Sequence, residues 1–380
     1  MLAATMLLSP NPRVRVSPYH DAVVAAGVTH GSVYNHMVLP YTYGDPQAEY
    51  WRLIEGVSMW DVAAERQVEV RGPDADACVQ YLTSRDLSKM KHGQGKYVAM
   101  CDHKGVILND PVLLKLSDRY WFSIADSDML LWVKAIAYER GFDVTVIEPD
   151  ASPLAVQGPL AEQLIVDLFG PHISSLKYFW FVETELDGIP LVLCRSGWSK
   201  QGGFELFLRD ASRGVDLWNK VAAAGEKYGI GPGAPNAVER IESGLLSFGG
   251  DTTPGSNPFE AGMERYVDVD TPVDYIGKTA LQAIAAEGSK RLLTGLSIET
   301  GDGEQAAWPL FERSPVTLDG VQVGTMSTVA YSPRLKTIVG IAQVNREVVE
   351  AAADSNSDVM VSVESPDGPR TARLASLPFI

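Results

Sequence analysis

The sequence predicts an α+β protein that is built from two mixed units and a C-terminal barrel or sandwich of strands. Strand pairs alternate with helical segments twice, in residues 67–149 and again in residues 154–229. This order is typical of antiparallel sheets that are covered by helices on one face. From residue 292 the apolar residues follow the period of two that strands require, with little helical signal. The length of 380 residues is enough for two or three domains.

The first mixed unit opens with QVEVRG, an alternating strand that ends at the Gly72-Pro73 turn. Two helices are predicted in this unit. The first begins at an Asp N-cap, and the second begins at a Ser N-cap and ends at a Gly. The strands are predicted at residues 67–72, 105–116, 119–125 and 142–149, and the helices at residues 74–84 and 127–141.

The second mixed unit repeats this order, and a helical linker then leads into the all-β part. The strands are predicted at residues 154–159, 184–196 and 202–209, the helices at residues 160–170 and 214–229, and the linker at residues 275–291.

Composition excludes several classes of protein. Apolar residues make up 46% and charged residues 21% of the chain, which suits a globular fold with a large core. The chain carries 48 acidic and 32 basic residues, a formal charge of −16. Long-range repulsion would oppose nucleic acids and anionic membranes, so we expect neither as a partner.

The cysteines and the chain start indicate a reducing, cytoplasmic location. Three widely spaced cysteines cannot build a disulfide framework or a zinc knuckle. No apolar run is long enough to span a bilayer, and the start, MLAATMLLSPNPRVRV, lacks the basic leading region of a signal peptide. Six scattered histidines predict no metal centre, and neither GxGxxG, Walker A nor GxSxG occurs.

The segment RSGWSKQGGFELFLRD contains a carboxylate inside an apolar strand. Alternation places Glu205 and Phe207 on one face of that strand. On a solvated face Glu205 would have no special role, and the pattern alone slightly favours this interpretation. In a pocket, its two oxygens would accept hydrogen bonds from an N–C–N edge of a ligand.

Three further charged positions leave two interpretations open. Asp110, in ILNDPVLL, is either a turn residue or a carboxylate held at a strand irregularity that faces a cavity. Arg240 lies on an amphipathic helix, where a surface salt bridge would contribute little. Arg334 and Lys336 end GTMSTVAYSPRLK, which is either an exposed hairpin or an anion-binding loop.

Several segments, taken in chain order, resemble the aminomethyltransferase family, to which the T-protein of glycine cleavage belongs. They are SVYNHMVLP, MWDVA, RSGWSKQGGFEL, RIESG, NPFEAGM, YIGKTAL and GTMSTVAYSPRLK. Within the family, the segments that resemble the branch that demethylates dimethylsulfoniopropionate are VYNHMVLP, WDVAAERQVEV, SRDLSK, NDPVLLKL, SIADSD, RSGWSKQGG and GPGAPNAVERIES. The resemblance runs through nearly the whole chain.

The resemblance implies a three-domain cloverleaf with tetrahydrofolate in a central channel. The implied domains are a discontinuous folate-binding α+β domain of residues 1–55 and 145–270, a second α+β domain of residues 56–144, a linker of residues 271–291 and a barrel of residues 292–380.

The resemblance also implies roles for residues toward folate. Glu205 matches the family glutamate that binds the edge of the pterin ring. Asp110 matches the family aspartate that lies near the reacting nitrogen of folate. Asp110 would act there as a base or as an electrostatic stabiliser. The residues assigned to folate binding are Glu205, Tyr97, Arg240 and Arg334, with Arg334 or Lys336 at the anionic tail.

On the donor side, Trp198 replaces the tyrosine of T-proteins and would form a wall of the methyl-donor pocket. Ser123 would contact the donor's carboxylate, and Tyr34 and His36 complete the assigned set. Phe207 departs from the tyrosine that the demethylase branch is expected to carry, so one hydrogen bond to the donor or to folate is lost.

The implied reaction is transfer of a methyl group from a sulfonium donor to N5 of tetrahydrofolate. A sulfonium leaves without a proton, so the reaction needs positioning more than acid catalysis, and aromatic faces suit the cation. Glycine betaine or an aryl methyl ether would be another donor, and an ether would need an acid such as His36. A T-protein acting on a lipoyl carrier and a non-enzymatic folate-binding protein are further alternatives, and a homodimer is left open.

Overall fold

The computed structural model describes residues 11–301, 303–310, 312–354 and 359–380. The first ten residues, on which the interpretation of the chain start depends, lie outside this range. Within the described residues, no helix is long and apolar enough to cross a membrane.

The described elements follow the predicted alternation of strands and helices. The helices are α1 His20–Ala25, α2 Pro46–Glu55, α3 Ala75–Leu82, α4 Met129–Arg140, α5 Ala161–Phe169, α6 Gly214–Gly225, α7 Ala237–Glu242, α8 Lys278–Glu287 and α9 Arg346–Asp354. The strands are β1 His30–Tyr34, β2 Met37–Thr42, β3 Ser58–Asp61, β4 Gln67–Arg71, β5 Gln94–Tyr97, β6 Met100–Cys101, β7 Ile107–Asn109, β8 Val112–Lys115, β9 Arg119–Ser123, β10 Thr145–Ile147, β11 Ser152–Gln157, β12 Phe181–Leu186, β13 Ile189–Cys194, β14 Gly203–Leu208, β15 Gly231–Gly233, β16 Arg291–Ile298, β17 Ser314–Leu318, β18 Val321–Ser332, β19 Thr337–Asn345, β20 Met360–Ser365 and β21 Gly368–Ala375.

The first domain is organised by a six-stranded sheet in the order β12-β13-β14-β11-β3-β15. All neighbours are antiparallel except β15, which runs parallel to β3. One sheet face packs against α5 and α6 in the largest apolar core, where Phe204, Leu206 and Leu208 are fully buried. The predicted alternation of β14 is therefore confirmed on this face.

The second domain contains a five-stranded antiparallel sheet in the order β10-β4-β9-β8-β5. Apolar residues of α3 and α4 join Val68, Val70 and Phe122 in its core. Two predicted domain boundaries shift by a few residues, because β3 pairs within the first sheet and β10 within the second.

The free faces of the two sheets meet in a small apolar cluster. Phe207 of β14 and Trp121 of β9 have ring centroids 6.3 Å apart, and both side chains are buried. Leu114, Val192 and Cys194 are among the other members of this cluster. The face of β14 that carries Glu205 and Phe207 is thus covered by the second domain.

The last domain is a closed barrel in the order β16-β19-β18-β17-β20-β21, which settles the predicted choice between barrel and sandwich. Its interior is filled by apolar side chains such as Leu296, Ile338 and Val363. Ile241 of α7 packs against Val339 and Ile341 on the barrel. The barrel is therefore anchored to the helix that follows the first sheet.

Candidate active site

Three carboxylates meet where the first and second domains join, and we call Glu65, Asp110 and Glu205 the carboxylate cluster. Glu205 lies on β14, Asp110 lies between β7 and β8, and Glu65 lies in the turn that leads from β3 to β4. Glu65 is the electrostatic neighbour that the other two share. The first domain therefore contributes Glu205 and the second contributes Asp110. Glu65 comes from the segment that connects the two sheets.

Glu205 is buried, with 8% of its surface exposed. The solvated face that alternation slightly favoured is wrong, because the second sheet covers it. The Ser196 hydroxyl donates a hydrogen bond to Glu205 Oε2. Burial raises the pKa of Glu205, and the bond from Ser196 opposes that rise. Oε1 has no hydrogen-bond donor in the described part of the chain, so it is available to a ligand.

Asp110 lies in the short break between strands β7 and β8, and only 9% of its surface is exposed. It is thus held at a strand irregularity and is not a solvated turn residue. Tyr97 donates its hydroxyl to Asp110 Oδ2 at 2.6 Å. Burial raises the pKa of Asp110 to about 7, the Tyr97 bond opposes the rise, and the charge of Asp251 adds to it. Near neutral pH this carboxyl can therefore both hold and release a proton.

Aromatic side chains surround the carboxylate cluster. Tyr97 packs edge-on against Tyr266, with 4.9 Å between the ring centroids. Burial raises the pKa of Tyr34, and the charges of Glu65 and Asp110 raise it further, so its phenol stays protonated beside them. Loss of hydration raises the pKa of Tyr178 to about 12, and the charge of Glu205 adds to this effect.

Glu65 is a residue that the sequence did not single out. It falls inside WDVAAERQVEV, directly before a strand, and nothing in its local pattern separates it from a surface charge. In the structure it is half-buried. Burial raises its pKa well above the usual value, and the charges of Glu205 and Asp110 add to the effect.

Trp198 is half-buried in the loop between β13 and β14. Its indole N–H donates to the Leu246 carbonyl at 3.3 Å, and the Arg240 guanidinium lies 5.9 Å from its ring. The loop is tight because Gly197 has φ +148° and a Cβ there would lie 2.0 Å from Gln157 Nε2. The glycine in RSGWSK thus lets the loop close on Gln157 and fixes the position of the indole.

Both arginines that the family resemblance assigns to folate are engaged in ion pairs. Arg240 donates to Asp251 at 2.7 Å, and both side chains are buried. Arg334 donates to Glu242, which is fully buried and also accepts from Tyr50 at 2.8 Å. Their positive charges are therefore matched by carboxylates before any ligand arrives.

The remaining assigned residues divide between the cluster and other places. Ser123 is buried at the end of β9 and accepts a hydrogen bond from Gln67 at 3.0 Å. Phe207 lies in the apolar contact between the sheets, two residues from Glu205 on the same strand face. The structure does not bring His36 to the cluster, because it occupies the exposed β1–β2 turn and pairs with Asp128 at 3.3 Å. Lys336 is exposed as well.

Comparison with known families matches nearly the whole chain to two profiles. The profile described as the GCVT N-terminal domain matches residues 19–271, and that of the glycine cleavage T-protein C-terminal barrel domain matches residues 291–380.

Individual relatives and a solved structure agree with this match. The chain is 43% identical to dimethylsulfoniopropionate demethylase DmdA of Ruegeria pomeroyi, over 95% of this chain and 96% of the relative. It is 30% identical to the aminomethyltransferase of Koribacter versatilis, over 91% of each. The aminomethyltransferase T of the Bartonella henselae glycine cleavage system has the same fold, with a TM-score of 0.83, 21% identity and coverage of 96% and 98% of the two chains.

Proposed function

The chain belongs to the aminomethyltransferase family of the glycine cleavage T-protein, and we propose that it is a tetrahydrofolate-dependent demethylase of dimethylsulfoniopropionate. The relative that shares 43% of its residues bears the name of that demethylase, whereas the aminomethyltransferase relative shares 30%. The proposal also includes a cytoplasmic location, which free cysteines at positions 78, 101 and 194 fit.

The observation that carries the proposal is that Glu205 and Asp110, both buried, act on the same third carboxylate, Glu65, and so belong to one cluster. A carboxylate with one oxygen held by Ser196 and the other open is a matched acceptor for the N3–H and 2-amino donors of a pterin. Asp110 and Tyr97 then lie across the cluster, where the reacting end of the same ring system would be placed. The residues present therefore fit a folate.

Bound folate supplies the nucleophilic nitrogen N5, whose lone pair takes the methyl carbon while the C–S bonding electrons leave with sulfur. The products are 5-methyltetrahydrofolate and methylmercaptopropionate. Since sulfur leaves as a neutral thioether, no residue has to protonate it. What the protein must supply is alignment of the two partners, which contributes several kcal/mol to catalysis.

Asp110 receives the proton that N5 loses on methylation. A pKa of about 7 keeps a substantial fraction of this carboxyl ionised at neutral pH, which suits a general base. Tyr97 orients Asp110 through its 2.6 Å hydrogen bond, and the proton stays on the Tyr97 oxygen because burial raises the pKa of that phenol.

The donor side is formed by Trp198, Tyr34, Ser123 and Phe207. Trp198 offers an indole face whose position is set by its bond to Leu246, and an aromatic face attracts an onium ion by about 0.5–2 kcal/mol. Ser123 receives a hydrogen bond from Gln67, so its own hydroxyl proton is left for the donor's carboxylate. Phe207 contributes apolar surface only.

Arg240 and Arg334 act on folate from their ion pairs. The Arg240 guanidinium lies 5.9 Å from the centre of the Trp198 ring, and Arg334 lies where the first domain meets the barrel. In the proposed assignment they meet the anionic tail while their carboxylate partners keep them in place. The assignment of His36 to the donor site rests on its sequence motif alone.

Anaerobic incubation of the purified protein with tetrahydrofolate and dimethylsulfoniopropionate tests the proposal. We expect stoichiometric 5-methyltetrahydrofolate and methylmercaptopropionate by mass spectrometry. Folate binding without product would overturn the donor assignment, and glycine betaine and an aryl methyl ether would then be assayed in the same way. Aminomethyl transfer from a lipoyl carrier protein would instead identify a T-protein.

A further inference from the structure

Glu65 is the most unusual member of the carboxylate cluster. Its side chain is half-buried, yet it has neither a hydrogen bond nor an ion pair within the ranges that the structure describes. The adjacent residue Arg66 does not neutralise Glu65, because its Nε donates a hydrogen bond to Glu148 Oε1 at 2.9 Å. An unpaired carboxylate in such a place is costly to ionise, and a cation bound beside it would offset that cost.

The backbone around Glu65 is fixed, so the unpaired carboxylate is not a consequence of a loose turn. Asn35 is buried and donates to the Ala64 carbonyl at 3.0 Å. Gln67 donates to the Glu65 carbonyl at 2.7 Å and, from the same amide nitrogen, to Ser123 at 3.0 Å. Glu65 is thereby tied to Ser123, a residue of the proposed donor site.

The surroundings of Glu65 match the chemistry of an organic cation. The charges of Glu205 and Asp110 act on Glu65, and Glu65 acts in turn on the phenol of Tyr34. Arg240 and Arg334, the arginines assigned to folate, are already paired with Asp251 and Glu242. Within the described part of the chain, the groups that interact electrostatically with Glu65 are therefore carboxylates and a phenol. Carboxylates and aromatic rings are the groups that attract an onium ion.

We infer that Glu65 is the specificity-determining residue that selects a positively charged methyl donor over a neutral one of the same shape. This inference rests on the proposed function and deepens it. Glu205 and Asp110 are committed to the pterin and to the proton of N5, so Glu65 is the charge left to face the sulfonium. Folate itself gains nothing from Glu65.

Binding measured without turnover tests the inference. In the presence of 5-methyltetrahydrofolate, whose N5 is already methylated, dimethylsulfoniopropionate and its isostere 4-methylpentanoate are titrated by calorimetry. The two ligands share their shape and their carboxylate, and they differ in that an uncharged C–H group of the isostere replaces the positively charged sulfur. The proteins are the wild type, Glu65→Gln, Glu65→Asp and the control Glu185→Gln, which removes an exposed charge from the first sheet.

We expect the wild type to prefer the cation, and Glu65→Gln to lower that preference by about tenfold or more, because a contact charge pair in a partly buried site is worth at least this factor. Glu65→Asp keeps the charge and should retain most of the preference, and Glu185→Gln should retain all of it. Affinity for 5-methyltetrahydrofolate should change by less than about threefold.

Equal losses for both ligands in Glu65→Gln and Glu65→Asp would overturn the inference in favour of a packing role. A loss of folate affinity alone would place Glu65 on the pterin and overturn it as well, as would a wild type without any preference. Selective binding of the cation with no product in the turnover assay would leave the inference standing while the proposed demethylation fails.

Discussion

Replacing Asp110 with asparagine is expected to make the protein less active and, at neutral pH, more stable. In the folded protein the pKa of Asp110 is about 7, whereas the same carboxyl has a pKa of 3.8 when it is exposed to solvent in the unfolded chain. Between these values the folded state keeps a proton that the unfolded state has released. The contribution of Asp110 to stability is therefore full below pH 3.8, is lost as the pH rises to about 7, and is constant above that.

The size of the effect follows from that pKa difference. Each pKa unit corresponds to about 1.4 kcal/mol. Relative to low pH, the raised pKa of Asp110 therefore lowers stability by about 4 kcal/mol at pH 8, where the carboxyl is ionised, and by roughly 1–2 kcal/mol at pH 5, where the folded protein still holds it protonated. Asparagine has nearly the same shape, can accept the Tyr97 hydrogen bond and does not ionise. The stability gained by Asp110→Asn should thus be larger at pH 8 than at pH 5 by about 2–3 kcal/mol.

Urea denaturation followed by tryptophan fluorescence at the two pH values measures this difference. The matched control is Asp143→Asn, which removes the charge of an exposed aspartate in the same domain and should show no such dependence on pH. Turnover of Asp110→Asn should fall while the folate affinity changes little. A variant that is fully active, or whose stability relative to the wild type is the same at both pH values, would refute the assigned environment of Asp110.

Three other substitutions separate the remaining roles. Glu205→Gln should weaken tetrahydrofolate binding by about 10–100-fold, because a charge-assisted bond is lost; an unchanged Kd in a fluorescence titration would remove Glu205 from the pterin site. Trp198→Ala should raise the KM of the donor about tenfold with little effect on folate, and equal losses would contradict a donor wall. Glu242→Gln leaves the Arg334 guanidinium unpaired and should cost about 3–5 kcal/mol, whereas Glu350→Gln, in an exposed pair, should cost less than about 1 kcal/mol; calorimetric unfolding compares the two.

The fold was predictable where local periodicity decides it. The period of two after residue 292 predicted the strands of the barrel, and the alternating helices and strands predicted both mixed units. The boundaries were less accurate because sheet membership depends on distant partners. Ser58–Asp61 pairs with β11, and Thr145–Ile147 pairs with β4, which the residues of these short strands do not encode by themselves.

The site was predictable only in part, for a related reason. Alternation correctly placed Glu205 opposite Phe204, but it could not reveal that a second sheet covers the Glu205 face. Glu65 looked like any charge before a strand, since its importance comes from Glu205 and Asp110, which are distant in sequence. Family resemblance supplied Asp110 and Glu205, whereas His36 shows that a residue inside a matching motif can lie on an exposed turn.

The distribution of charge around the cluster also determines how the two substrates can be arranged. Arg240 and Arg334 lie at the junction with the barrel and are each paired with a buried carboxylate, while Glu65 has no partner in the described chain. An anionic folate tail beside Glu65 would meet repulsion that no free cation offsets. In the proposed complex the pterin end therefore points into the cluster, the tail runs toward the barrel, and the cationic donor occupies the most negative position, next to the nitrogen that receives its methyl group.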